Sequence, residues 1–141
     1  MENLLLFVPI LLFPLVWVFT VWLITLLGWS RLARRYALRG SFHGHVRSFQ
    51  SGIIGGFSRY NGVLVIGWGE QGLFLHVFFL FRINHPPLLI PWDEIQEAIS
   101  DTYWFTKRLR LRMRAPDAPM VTLFGAVTER ALDAYMQETG R

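Results

Sequence analysis

Leu4 to Leu27, LLLFVPILLFPLVWVFTVWLITLL, holds no charged residue across 24 positions. As a helix rising 1.5 Å per residue it reaches roughly 36 Å, enough for a hydrocarbon core of about 30 Å. This reads as a single transmembrane helix and sets aside everything after it as an attached domain. A secretory signal peptide would need a basic start, a shorter apolar core and a small-residue cleavage site. The start here is Met1-Glu2-Asn3 and the chain continues as Gly28-Trp29-Ser30, so a retained anchor is expected. Pro9 and Pro14 each remove a helix donor, with a kink expected at Pro14. Trp17 and Trp22 fall at odd depths for an interfacial belt, and Trp29 is well placed for one.

Charge outward from the anchor is uneven. Gly28 to Gly69 carries six arginines and no acid, and from Glu70 onward eight basic residues face nine acidic ones. Arg31, Arg34, Arg35 and Arg39 follow the apolar run directly, against only Glu2 before it. The positive-inside rule then places the C-terminal domain in the cytoplasm, below an inner (plasma) membrane. The same four arginines read either as setting topology alone or as also contacting anionic lipid headgroups. The helix is expected to run past Leu27, with Leu32, Tyr36 and Leu38 giving an apolar side, and to end at Gly40. This divides the chain into an anchor with its basic extension, residues 1–39, and a domain over residues 40–141.

The 141-residue chain has no cysteine, which excludes disulfides and thiolate chemistry. Strands are expected at His45–Ile54, Val63–Ile66 after a Tyr60-Asn61-Gly62 turn, Leu73–Phe81 (secure in its first half) and Leu88–Trp92. Asp93–Ala98 suggests a helical turn and Thr102–Thr106 a strand. Arg108 to Arg114 alternates cleanly, Leu109, Leu111 and Met113 facing one way and Arg108, Arg110, Arg112 and Arg114 the other. A turn at residues 115–118 leads to Met120–Phe124. The period then changes to that of an amphipathic helix, Val127–Glu138, with Thr128 as N-cap and Gly140 past its end. The fold class expected is mostly β (α+β): seven bent strands capped by a C-terminal helix.

Gly72-Leu73-Phe74-Leu75, and Leu89-Ile90-Pro91-Trp92-Asp93-Glu94-Ile95 after the next strand, resemble the recurrent segment of bacterial pleckstrin-homology-like (GRAM-like) domains. That resemblance covers roughly Gly40 to Glu138 and implies a strongly bent seven-stranded barrel or sandwich whose open end is covered by a helix. A closer likeness is to small bacterial membrane-anchored proteins of unknown function. They carry a G-W-x-x-L-A-x-x-Y stretch (Gly28–Tyr36 here) and an F-R-x-x-H-P-P-L-x-I-P-W stretch (Phe81–Trp92 here). Lipid-binding pleckstrin-homology domains place several basic residues in the first strand pair. This chain has only Arg47 and Arg59 there, so phosphoinositide binding is not implied.

No reaction is indicated. Gly67-x-Gly69-x-x-Gly72 matches the dinucleotide fingerprint by letter, but a strand-like LFLHVFFLF follows instead of the helix that must receive the pyrophosphate. A glycine-rich hairpin turn is expected there. His43 and His45 have no third ligand nearby, His76 sits among apolar residues, and His85 precedes two prolines, where it should hydrogen-bond its loop. Asp93 and Glu94 lack a second carboxylate for acid–base pairing. No catalytic residue, metal or cofactor is expected. The row Arg108, Arg110, Arg112, Arg114 forms a stripe with a repeat of about 6.6 Å. It reads either as a binding surface for phosphates or an acidic partner, or as a solvated face paired with neighbouring acids. Nucleic acid is disfavoured by the charge balance after Glu70 and by the tether. The expectation is a non-enzymatic single-pass membrane protein presenting an interaction or lipid-surface module. The alternative is an accessory subunit of a larger membrane complex, with Pro14, Thr20 and Thr25 serving helix–helix contact.

Overall fold

A computed structural model describes residues 2–55, 58–82 and 85–140. Helix α1, Glu2–Leu27, runs through both Pro9 and Pro14, and its Asn3–Leu23 stretch is long and apolar enough to cross a membrane. A short helix α2, Trp29–Tyr36, follows. Seven strands come next: β1 His45–Ile54, β2 Ser58–Trp68, β3 Leu73–Val77, β4 Leu88–Ile90, β5 Ile95–Tyr103, β6 Thr106–Met113 and β7 Val121–Phe124. Helix α3, Val127–Thr139, closes the chain. The strands form one antiparallel sheet, ordered β4-β3-β2-β1-β7-β6-β5, curled into a half-barrel.

The inward side chains alternate as a half-buried sheet requires. Leu64 and Ile66 on β2, Leu73, Leu75 and Val77 on β3, Leu109, Leu111 and Met113 on β6, and Val121 and Leu123 on β7 share one buried cluster. From α3, Val127, Ala131 and Tyr135 enter the same cluster, while Met136 stays exposed. Gly140 at φ +71° ends α3 in the left-handed conformation, the usual glycine stop.

Local readings fail where tertiary pairing overrides them. The helix does not run on past Leu27: it breaks at Gly28, where a Cβ would sit 2.8 Å from Ile54 Cγ2. Trp29 is fully buried instead of standing in an interfacial belt. Trp29, Leu32 and Tyr36 belong to the sheet's own core cluster, so the packed unit reaches N-terminal of residue 40. The chain leaves α2 at Ala37, which bridges to Leu88, while Leu38 N donates to Pro87 O.

Tyr60-Asn61-Gly62 is not a turn. It lies inside β2, opposite an irregularity of β1 between Gln50 and Gly52, with Gly62 at φ +70°. An Asn-Gly pair here serves a bulge. The β1–β2 reversal falls between the partners Ile54 and Ser58, and of the Gly55-Gly56 break only Gly55 is among the described residues. Asp93–Ala98 does not form a helical turn beyond the 3-10 segment Trp92–Glu94; β5 begins at Ile95. The stretch 102–106 is the end of β5 and its hairpin turn, Tyr103 pairing with Thr106 around Trp104 and Phe105, both at positive φ. Thr128 is no N-cap, because its Oγ1 donates back to Gly125 O and Ala126 occupies the capping position.

Residues 69–72 link β2 to β3 as the expected glycine-rich hairpin turn. Trp92 closes it, its indole N–H donating to Gly69 O at 2.7 Å.

Candidate basic cleft beside helix α2

On α2 the 3.6-residue period puts Trp29, Leu32 and Tyr36 inward and leaves Arg31, Arg34 and Arg35 outside. The inward side is held from across the chain. Trp29 Nε1 donates to Pro86 O at 2.9 Å, and its ring meets those of Tyr60 and His85 at 5.6 and 5.2 Å. His85 is buried, its Nε2 lying 2.8 Å from Tyr60 Oη. Burial raises the Tyr60 phenol well above its ordinary value, so it stays protonated. The His85 ring therefore bonds β2, while its backbone N–H donates to Arg82 O within the loop.

This clamp fixes one wall of a cleft of about 430 Å³, lined by Arg34, Arg35 and Arg39 on one side and Leu89, Pro91 and Glu94 on the other. Tyr36, between them, donates to Glu94 Oε2 at 3.3 Å. Burial, and then the Glu94 charge, push its phenol up to about 12. Three arginines and one carboxylate thus line the cleft, and that carboxylate is already engaged by a neutral donor. The arrangement suits an anion with several acceptor oxygens, which arginine can bind through paired N–H groups.

The expected site arginines separate into two sets. Arg34, Arg35 and Arg39 line the cleft. Arg31 donates to Asp117 O at 3.0 Å, and Arg35 also reaches Asp117 Oδ1 at 3.3 Å. The β6 row lies elsewhere and carries its own acids. Arg108 grips Asp101 through two bonds of 2.8 and 2.6 Å, and Arg110 shares Asp101 Oδ2 at 3.3 Å. Arg112 is 3.6 Å from Glu97, and Arg114 donates to Asp93 O. The Arg108 hydrogen bonds hold the Asp101 carboxyl below its ordinary range, helped by the charges of Arg108 and Arg110. Lys107 pairs with Glu129. Arg47 and Arg59 each stand over an aromatic ring, Trp68 and Phe124.

Sequence reasoning missed Tyr36, Leu89, Pro91 and Glu94 as lining residues. The signal was present as two separate stretches, Gly28–Tyr36 and Phe81–Trp92, which the fold lays against each other.

His43 N donates to Gln71 Oε1 at 3.4 Å, and the His45 ring stacks on Trp68. Among the described residues no group of three or more His, Asp or Glu is placed to hold a metal. His76, half-buried on β3, has its pKa lowered by burial first, then by the charges of Arg82 and His85. Its folded-state pKa lies below the ordinary 6.5, so the unfolded chain binds more protons in that window. Stability from this group is full above about pH 6.5 and falls as pH drops through the folded pKa. Urea midpoints measured from pH 7.5 to 5 should decline below about 6.5, and His76→Leu should flatten that slope. An unchanged slope would assign it to another group.

No family model, no characterised protein and no solved structure matches this chain.

Proposed function

We propose that this is a non-enzymatic, single-pass protein of the inner membrane whose cytoplasmic pleckstrin-homology-like domain, with α3 as its amphipathic cap, serves as a lipid-surface or interaction module. The observation that carries the reading is the cleft itself. Three arginines line it, immediately after an apolar helix of membrane-spanning length, the position at which anionic headgroups lie. The curled seven-stranded sheet with a C-terminal helix is consistent with the resemblance. The subunit alternative gains nothing specific, since the Thr20 hydroxyl is bonded back to Val16 O at 2.7 Å and the Thr25 side chain lies outside the described residues.

Topology is testable because the chain has no cysteine. A Glu138→Cys variant in spheroplasts should be protected from an impermeant thiol reagent and become labelled on lysis. Labelling of intact spheroplasts would place the domain on the other side and sink the reading.

A further inference from the structure

Phe49, Phe79 and Leu80 are 72, 61 and 51% exposed, and Phe49 and Phe78 lie with ring centroids 6.1 Å apart. Phe49 holds φ +59°, a region that bulky side chains rarely adopt. A strained backbone thus presents an aromatic ring to the outside. The patch is not remote from the anchor: Trp17 Nε1 donates to Leu80 O at 3.3 Å, and Val21 of α1 is buried.

That contact fixes a depth. The apolar stretch Asn3–Leu23 spans about 31 Å as a helix, close to the thickness of a hydrocarbon core. Trp17 is six residues inside its end, or about 9 Å. A bilayer that accepts α1 over this length therefore also meets Leu80 and its neighbours, at the 5–10 Å depth where interfacial apolar groups bury.

The backbone of the 3-10 turn Phe79–Phe81 suits such a medium, where unpaired polar groups are costly. Phe78 N donates to Val63 O, Phe79 O accepts from Arg82 N, Leu80 O accepts from Trp17 and Val77 O accepts from Arg82 Nε. On α1 at the same level Phe13, Val16 and Phe19 are exposed, so whatever surrounds the helix surrounds the patch.

We propose that Phe49, Phe78, Phe79 and Leu80 form an apolar wedge that enters the lipid leaflet beside the C-terminal half of α1. The domain would then be seated in the membrane surface at two points, with the basic cleft above the headgroups as a third. This rests on α1 being a membrane span, and the test separates the two.

Full-length single-cysteine variants Phe79→Cys, Leu80→Cys, Phe13→Cys and Glu138→Cys, each carrying a polarity-sensitive fluorophore, are reconstituted in phosphatidylcholine–phosphatidylglycerol vesicles. Quenchers are lipid-borne nitroxides and an aqueous ion. Labels at 79 and 80 should be blue-shifted and lose most of their emission to the lipid quencher, as at 13, while the label at 138 answers only the aqueous one. Lipid quenching at 13 with 79 and 80 behaving like 138 would overturn the wedge alone. Aqueous quenching at 13 as well would overturn the anchor, and the wedge with it. Labels at 79 and 80 shielded from both quenchers would assign the patch to a second protein chain and also overturn the proposal.

Discussion

Trp29→Ala should cost about 3–5 kcal/mol of domain stability, the range for removing a large buried aromatic. For a domain whose whole stability is about 5–15 kcal/mol, that approaches the unfolding threshold at 37 °C. The size follows from what the ring does: it is fully buried, donates to Pro86 O and packs against Tyr60 and His85. Trp29→Phe keeps most of the packing but leaves Pro86 O without its donor, and should cost about 1–3 kcal/mol. Urea unfolding followed by circular dichroism measures both. If α2 were only a spacer between membrane and domain, both changes would fall within about 0.5 kcal/mol. The same reasoning distinguishes two truncations. A fragment beginning at Gly28 retains every buried side chain of α2 and should unfold cooperatively. One beginning at Gly40 lacks Trp29, Leu32 and Tyr36 and should not.

How far the sequence disclosed this fold depended on the range of the interactions. The apolar helix α1 follows from an uninterrupted run of uncharged residues, β1 at His45–Ile54 from a loose local alternation, and the inward Leu109, Leu111 and Met113 of β6 from a clean one that their burial enforces. β5 was hidden because Ile95–Tyr103 has no clean alternation of its own. It is a strand because Glu97 and Asp101 lie opposite Arg112 and Arg108, a pairing set by the partner strand. The Gly28 break was obscured for a similar reason. Nothing near Gly28 reveals that Ile54 crowds it or that Pro86 accepts the Trp29 N–H. The cleft was half legible: Arg34, Arg35 and Arg39 stand out as a charge run, whereas Leu89, Pro91 and Glu94 come from 50 or more positions away.

The two arginine sets should differ sharply in function. Those on β6 have acids within reach: Asp101 takes Arg108 and Arg110, and Glu97 faces Arg112. Exposed pairs of this kind contribute little to stability, but they lower the field available to a ligand. At the cleft, Glu94 is the one acid that lines it beside Arg34, Arg35 and Arg39, and among the described residues Asp117 pairs with Arg35 alone of the three. Each arginine near an anionic surface contributes about 1 kcal/mol. Replacing Arg34, Arg35 and Arg39 by glutamine should therefore weaken association by about 3 kcal/mol, on the order of 100-fold. Arg35 falls at the low end because Asp117 already shares it. Replacing Arg108, Arg110 and Arg112 together should weaken it far less.

Flotation of the Gly28 fragment with vesicles tests this central claim most directly. The wild-type fragment should rise with phosphatidylglycerol-containing vesicles more than with pure phosphatidylcholine. The Arg34→Gln, Arg35→Gln, Arg39→Gln variant should lose that preference, and the β6 triple variant should keep it. Equal flotation of the wild-type fragment with both vesicle types, or loss of the preference only in the β6 variant, would contradict the account.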